Sequence, residues 1–266
     1  MRMLRIYRAL LIAQLQQAAQ YRIQSILWML FSVIRPVIFL AAWAAVAGTR
    51  GGSVGGFTIA DFTAYYVCLT LASHLTMSWN SHEFEFEIQQ GRLAPKLLRP
   101  LHPLHYSVVE NIVFKVTTLI PLAIVLVAVV LTFGARLLTQ PVHVLLFVPS
   151  IILAAALQFI VVWVIATLAF WATRMRTANT LFMRASFLFA GQIAPISLLP
   201  GAIQLVAYAL PFWYMLGAPA EILRGGVTPE QGLLIIAGQA AWVAVSWVAF
   251  SISWRAGIRQ FSAVGA

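Results

Sequence analysis

The fold class expected from the sequence is an all-α integral membrane protein. It has six transmembrane helices, an N-terminal interfacial amphipathic helix, and a re-entrant element between helices 5 and 6. Three observations lead there. Of 266 residues, 62% are hydrophobic and only 9% are charged, against about 45–50% apolar in soluble domains. The apolar residues fall into runs near the ~20 residues that cross a ~30 Å hydrocarbon core. The net charge of +10 is clustered between those runs, as the positive-inside rule requires. Soluble enzymes and soluble binding modules are excluded, because 24 charged side chains (17 basic, 7 acidic) cannot clothe a water-soluble globule of this size. The same basic excess, which in a soluble chain would suggest nucleic acid, here reads as loop placement.

Residues 1–22 carry Arg2, Arg5, Arg8 and Arg22 among glutamines, without the apolar core or cleavage site of a signal peptide. Leu4, Leu11, Leu15 and Ala18 share a helical stripe opposite Arg2, Arg5, Gln16 and Gln20, the pattern of a helix lying on the inner leaflet. Residues 23–266 then form one membrane domain. Its spans are expected at 23–47, 61–79, 106–133, 142–171, 181–199 and 231–254. The glycine-rich stretch Gly48–Gly56 reads as a loop. The segment 201–217 is broken by Pro211 and Gly217. Its longest uninterrupted piece rises only ~15 Å as a helix, so it dips into the bilayer without crossing. Six crossings place twelve basic residues on the side of the termini and three (Arg50, Arg136, Arg224) on the other. That bias puts both termini in the cytoplasm.

The familiar catalytic motifs are missing. The two lysines, Lys96 and Lys115, follow Pro95 and Phe114, so neither belongs to a phosphate-binding G-x-x-x-x-G-K-[ST] loop. His82-Glu83 begins like a zinc-protease helix, but Phe86 stands where the second His belongs, and no metal site is expected. The histidines have no nucleophile-elbow serine beside them. Cys68 lies in an apolar stretch and reads as a small buried hydrophobe.

The meaningful exceptions lie within the spans. Arg35 is twelve residues into the first span, ~18 Å along its axis. A charge there costs at least ~2.5–3.5 kcal/mol, so it needs a partner, and Glu110 is the candidate for an intramembrane ion pair. His74 reads as an interior hydrogen-bonded residue. Tyr65, Tyr66, Phe187 and Phe189 offer ring faces suited to hydrophobic cations, although packing and lipid-facing roles are the commoner use of such residues. In the long polar loop 80–105, Glu83 and Glu87 are one turn apart, as are Phe84 and Ile88, and Gly91 offers a helix stop. These features define a short amphipathic docking helix followed by Arg92, or simply a charged, membrane-hugging loop. From these residues alone an ATP-coupled permease, a secondary transporter or channel that needs no ATPase, and an intramembrane enzyme or assembly factor all stay open.

The run GRLAPKLLRPLHPL (Gly91–Leu104) and the stretch AGQIAPISLLPGAIQLVAYALPFWYMLGAPAEILRGG (Ala190–Gly226), with the basic N-terminus and six spans, resemble the ABC-2 family of ABC-transporter permeases. The likeness is closest to its short branch without a fused ATPase. The resemblance implies a half-transporter in the inner membrane of a prokaryote. Two such subunits, identical or homologous, would bind two copies of a cytoplasmic ATPase, and export of a hydrophobic or amphipathic substrate is the expected direction. This chain would bind no cofactor, with ATP and Mg on the partner, and no nucleic acid. Its coupling helix would comprise Glu83, Phe84, Glu87, Ile88, Gly91 and Arg92. The second and fifth spans would line the path, giving, with Arg35 of the first span, Tyr65, Tyr66, His74, Phe187, Phe189 and Gln192 as substrate-path residues. The re-entrant element would cap it on the outer side, through Pro200, Pro211 and Phe212.

Overall fold

Apolar length decides most of the architecture. In the computed structural model, which describes residues 2–172 and 174–261, four helices are long and apolar enough to cross a membrane. Met1, at the start of the expected interfacial helix, the Arg2 side chain, and Thr173, after the fourth span, lie outside the described residues. Helix α1 (Arg2–Gln20) is followed, past Tyr21, by α2 (Arg22–Thr49). Residues expected to form an irregular loop instead contain a hairpin of two-residue strands, β1 (Ser53–Val54) and β2 (Phe57–Thr58), so the fold is not wholly helical. The glycines in this stretch permit the reversal between the strands. Thr58 then caps α3 (Ile59–Thr76) in a capping box with Asp61.

The polar loop holds two short helices, α4 (Asn80–Gln89) and α5 (Leu93–Leu97). Next come α6 (Leu104–Phe133) and α7 (Pro141–Thr167), the latter prolonged by a 3₁₀ turn to Phe170. The expected fifth span, 181–199, is not one helix. Helix α8 (Arg176–Phe189) begins earlier and stops at Phe189, and only a 3₁₀ turn (Ile196–Leu198) follows before Pro200. The expected re-entrant stretch 201–217 is a run of three short helices, α9 (Gly201–Ala209), α10 (Pro211–Met215) and α11 (Gly217–Arg224), reaching seven residues further than expected. Helix α12 (Pro229–Gln260) completes the bundle.

Packing separates these helices into two kinds. Helix α3 lies among α2, α6, α7 and α11, with eleven of its eighteen residues buried. Helix α6 buries six of thirty, and its remaining apolar surface is what a bilayer solvates. One end of the bundle is knitted by backbone bonds from the α6–α7 connector, Arg136 N to Ala60 O and Leu138 N to Arg224 O, both 3.0 Å. The other end carries α1, α4 and α5.

Candidate functional site

Helix α4 is wedged into the bundle by its apolar stripe. Phe84, 2% exposed, sits among Trp163, Phe170 and Trp254 at centroid separations of 5.1, 5.4 and 5.8 Å. Ile88 packs on the same cluster. The helix ends as Gly91 foretells: with φ +66, Gly91 lets its own N–H reach Ile88 O and that of Arg92 reach Glu87 O, closing a Schellman motif.

The carboxylates beside that stripe turn inward with it. Trp79 Nε1 donates to Glu83 Oε1 at 2.9 Å. Burial, reinforced by the adjoining Glu110 carboxyl, pushes Glu83 up to about 8. Glu87 pairs with Lys96, and Glu85 accepts from Met175 N at 3.1 Å, tying the α7–α8 linker to α4. The docking set therefore needs correction. Residues 83, 84, 87 and 88 share one helical face, and that face is occupied by the protein itself. What α4 and the turn after it leave outward is His82, Phe86, Gln89, Gln90 and Arg92, the Arg92 guanidinium lying 5.3 Å from the Phe86 ring centre.

A second constellation surrounds the break after α8. Gly191, at φ +82, ends the helical path, and a Cβ there would meet the Tyr65 hydroxyl at 2.4 Å. Unwound backbone at membrane depth must be satisfied by protein. Tyr65 OH donates to Gly191 O at 2.7 Å, Tyr66 OH to Ile193 O at 2.6 Å, and Trp43 Nε1 to the same Ile193 carbonyl at 2.7 Å. Both tyrosines are almost fully buried, so they clamp the broken segment and do not line an open path. His74 is likewise buried between α3 and α6, with Nε2 3.2 Å from Lys115 O and 3.3 Å from Thr118 Oγ1. It is an interior hydrogen-bonded residue in this chain.

Arg35 projects from α2 to an exposed position, its guanidinium 5.4 Å from the Phe187 ring centre. Phe187 in turn lies 5.6 Å from Phe39. The expected Arg35–Glu110 ion pair is not formed. Counting from the starts of α2 and α6, Arg35 is ~20 Å along its helix and Glu110 only ~9 Å along its own. Glu110 instead adjoins Glu83 and faces a cleft beside α1. Phe189 stacks on Phe212 at 6.3 Å, and Phe182 approaches Phe212 at 5.8 Å, so α8 is bound to α10. Gln192 Nε2 lies 3.5 Å from Ser186 Oγ. Pro200 and Pro211 stand at the starts of α9 and α10. The sequence reading missed the ion pair between Glu221 and Arg224, 2.7 Å, with Arg224 4.9 Å from the Phe57 ring centre. Its i, i+3 spacing was the available signal.

Three long apolar helices packed on a buried polar one, a fourth (α12) packed on α7, and a loop helix anchored at one end define a polytopic helical membrane protein. Residues 33–265 match the family described as ABC-2 family transporter protein, and the chain belongs to that family. No curated protein matches the chain. Family membership makes it a membrane component of transport, not itself the catalytic subunit, in a family that generally works with an ATPase subunit.

Proposed function

We propose that this chain is the membrane half of an ABC exporter, six times crossing a prokaryotic inner membrane with both termini cytoplasmic. ATP and Mg are held by two copies of a separate cytoplasmic ATPase, and a second permease subunit completes the complex. The observation that carries this reading, beside family membership, is the two-sided α4: an outward Phe86–Arg92 surface on a helix whose Phe84 is set into α7 and α12. A push on such a helix moves the bundle. ATP-driven closure of the ATPase pair then biases the permease between inward- and outward-facing states.

In this reading α3 and the broken fifth segment stand beside the translocation path, and α9–α11 form a re-entrant outer cap with Pro200, Pro211 and Phe212. Arg35 and Phe187 face the second subunit or the path, because a charge at that depth is not left to lipid. Phe189 and Gln192 lie at the break that couples the two. The cargo is hydrophobic or amphipathic. Substituting Phe86→Asp together with Arg92→Glu tests the docking surface: ATPase co-purification falls at least tenfold while the permease stays monodisperse. Undiminished co-purification removes α4 from the docking role.

A further inference from the structure

We propose that the cleft between α1, the start of α2 and α6 binds the ammonium head of an amphipathic amine. The cleft holds about 310 Å³, at the small end of ligand pockets, and is lined by Gln14, Gln17, Tyr21, Gln24, Trp79 and Glu110 among others. No basic side chain lines it. Among the described residues Glu110 has no ion-pair partner, and its neighbour is a second carboxyl, Glu83, which keeps its proton and shares a hydrogen bond with it. An anion is repelled here, and a neutral ligand leaves the carboxylate without a counter-charge. A cation satisfies it.

The walls add the remaining chemistry. Trp79 and Phe114 stand edge to face at 5.1 Å, and with Tyr21 they offer ring faces that attract organic cations. The indole is held in place by its bond to Glu83. The glutamine amides accept N–H groups from the head. Beside the acid, Val113 and Phe114 of α6 line the cleft, an apolar wall for the start of a hydrocarbon chain. Binding here does not depend on the ATPase partner, and its test does not use transport.

The test titrates dodecylammonium into the protein in phosphatidylglycerol nanodiscs by calorimetry, with empty discs subtracted. Saturable binding is expected, at least tenfold weaker in Glu110→Gln, several-fold weaker in Trp79→Leu, and retained in Glu110→Asp, which keeps the charge. Glu230→Gln, at the far end of α12, leaves it unchanged. Binding of Glu110→Gln within twofold of the wild type, or equal binding of dodecyl sulfate, overturns the proposal. Replacing part of the lipid with phosphatidylethanolamine identifies the source: competition assigns the site to an aminophospholipid head, and unaltered binding assigns it to a free amine.

Discussion

Helices α3 and α6 lie side by side and obey opposite rules. Helix α6 is long, keeps its charged residues Glu110 and Lys115 in its first half and is apolar from Leu119 to Leu131, with exposed residues such as Ile120, Ile124 and Leu131 facing outward. Helix α3 is only eighteen residues long and carries Asp61, Thr63, Tyr65, Tyr66, Thr70 and His74, yet buries most of its surface. In a bilayer the solvent is hydrocarbon, so outer surface must be apolar, and polar side chains are affordable only where protein surrounds them. Helix α3 uses that shelter to hold the broken segment after α8. Its polarity is therefore the sign of a central position in the bundle.

Substitutions can break this contrast. The largest effect is expected from Phe62→Ala in α3, whose ring is fully buried and stacked on Trp43 at 5.3 Å. It costs about 3 kcal/mol, read as a lower thermal midpoint in detergent. Gly191→Ala follows at about 2 kcal/mol, from the left-handed backbone it must hold and the displaced Tyr65 hydroxyl. Its proteolytic sensitivity should rise between residues 189 and 200. Tyr66→Phe removes one of two donors to Ile193 O and costs about 1 kcal/mol, measurable by chemical denaturation.

A smaller, pH-dependent effect belongs to Glu83. Its folded-state affinity for a proton is raised, from an ordinary 4.5 to about 8, first by burial and then by Glu110. The folded protein then binds more protons than the unfolded chain between those values. Stability is greatest below the lower one and declines as pH rises through the upper one. The midpoint of the wild type should fall between pH 5 and 9 more steeply than that of Glu83→Gln. Least of all is Leu131→Ala in α6, at a position 80% exposed. Its cost stays below ~0.5 kcal/mol, and a larger loss would mean that this face of α6 is packed against protein.

The long spans were legible because hydropathy reports exposure to lipid directly. The stop at Gly91 was legible too, since a left-handed helix terminus selects glycine. Other features were not. The 83/84/87/88 face of α4 announced amphipathicity, but periodicity does not say whether the apolar side meets a partner or the chain's own aromatic cluster. Tyr65 and Tyr66 looked like path residues because their acceptors, Gly191 O and Ile193 O, are backbone atoms with no signature in sequence. The Arg35–Glu110 pairing failed on depth, which depends on where each helix begins.

The central claim is that this chain is moved by a separate ATPase seated against α4. Its most direct test is to withdraw the tagged protein from its native membrane in mild detergent and identify what co-elutes by mass spectrometry. The account predicts a P-loop ATPase at about one copy per permease, lost in the Phe86→Asp, Arg92→Glu variant. A permease recovered without any ATPase, under conditions that keep a control ABC complex intact, would contradict it.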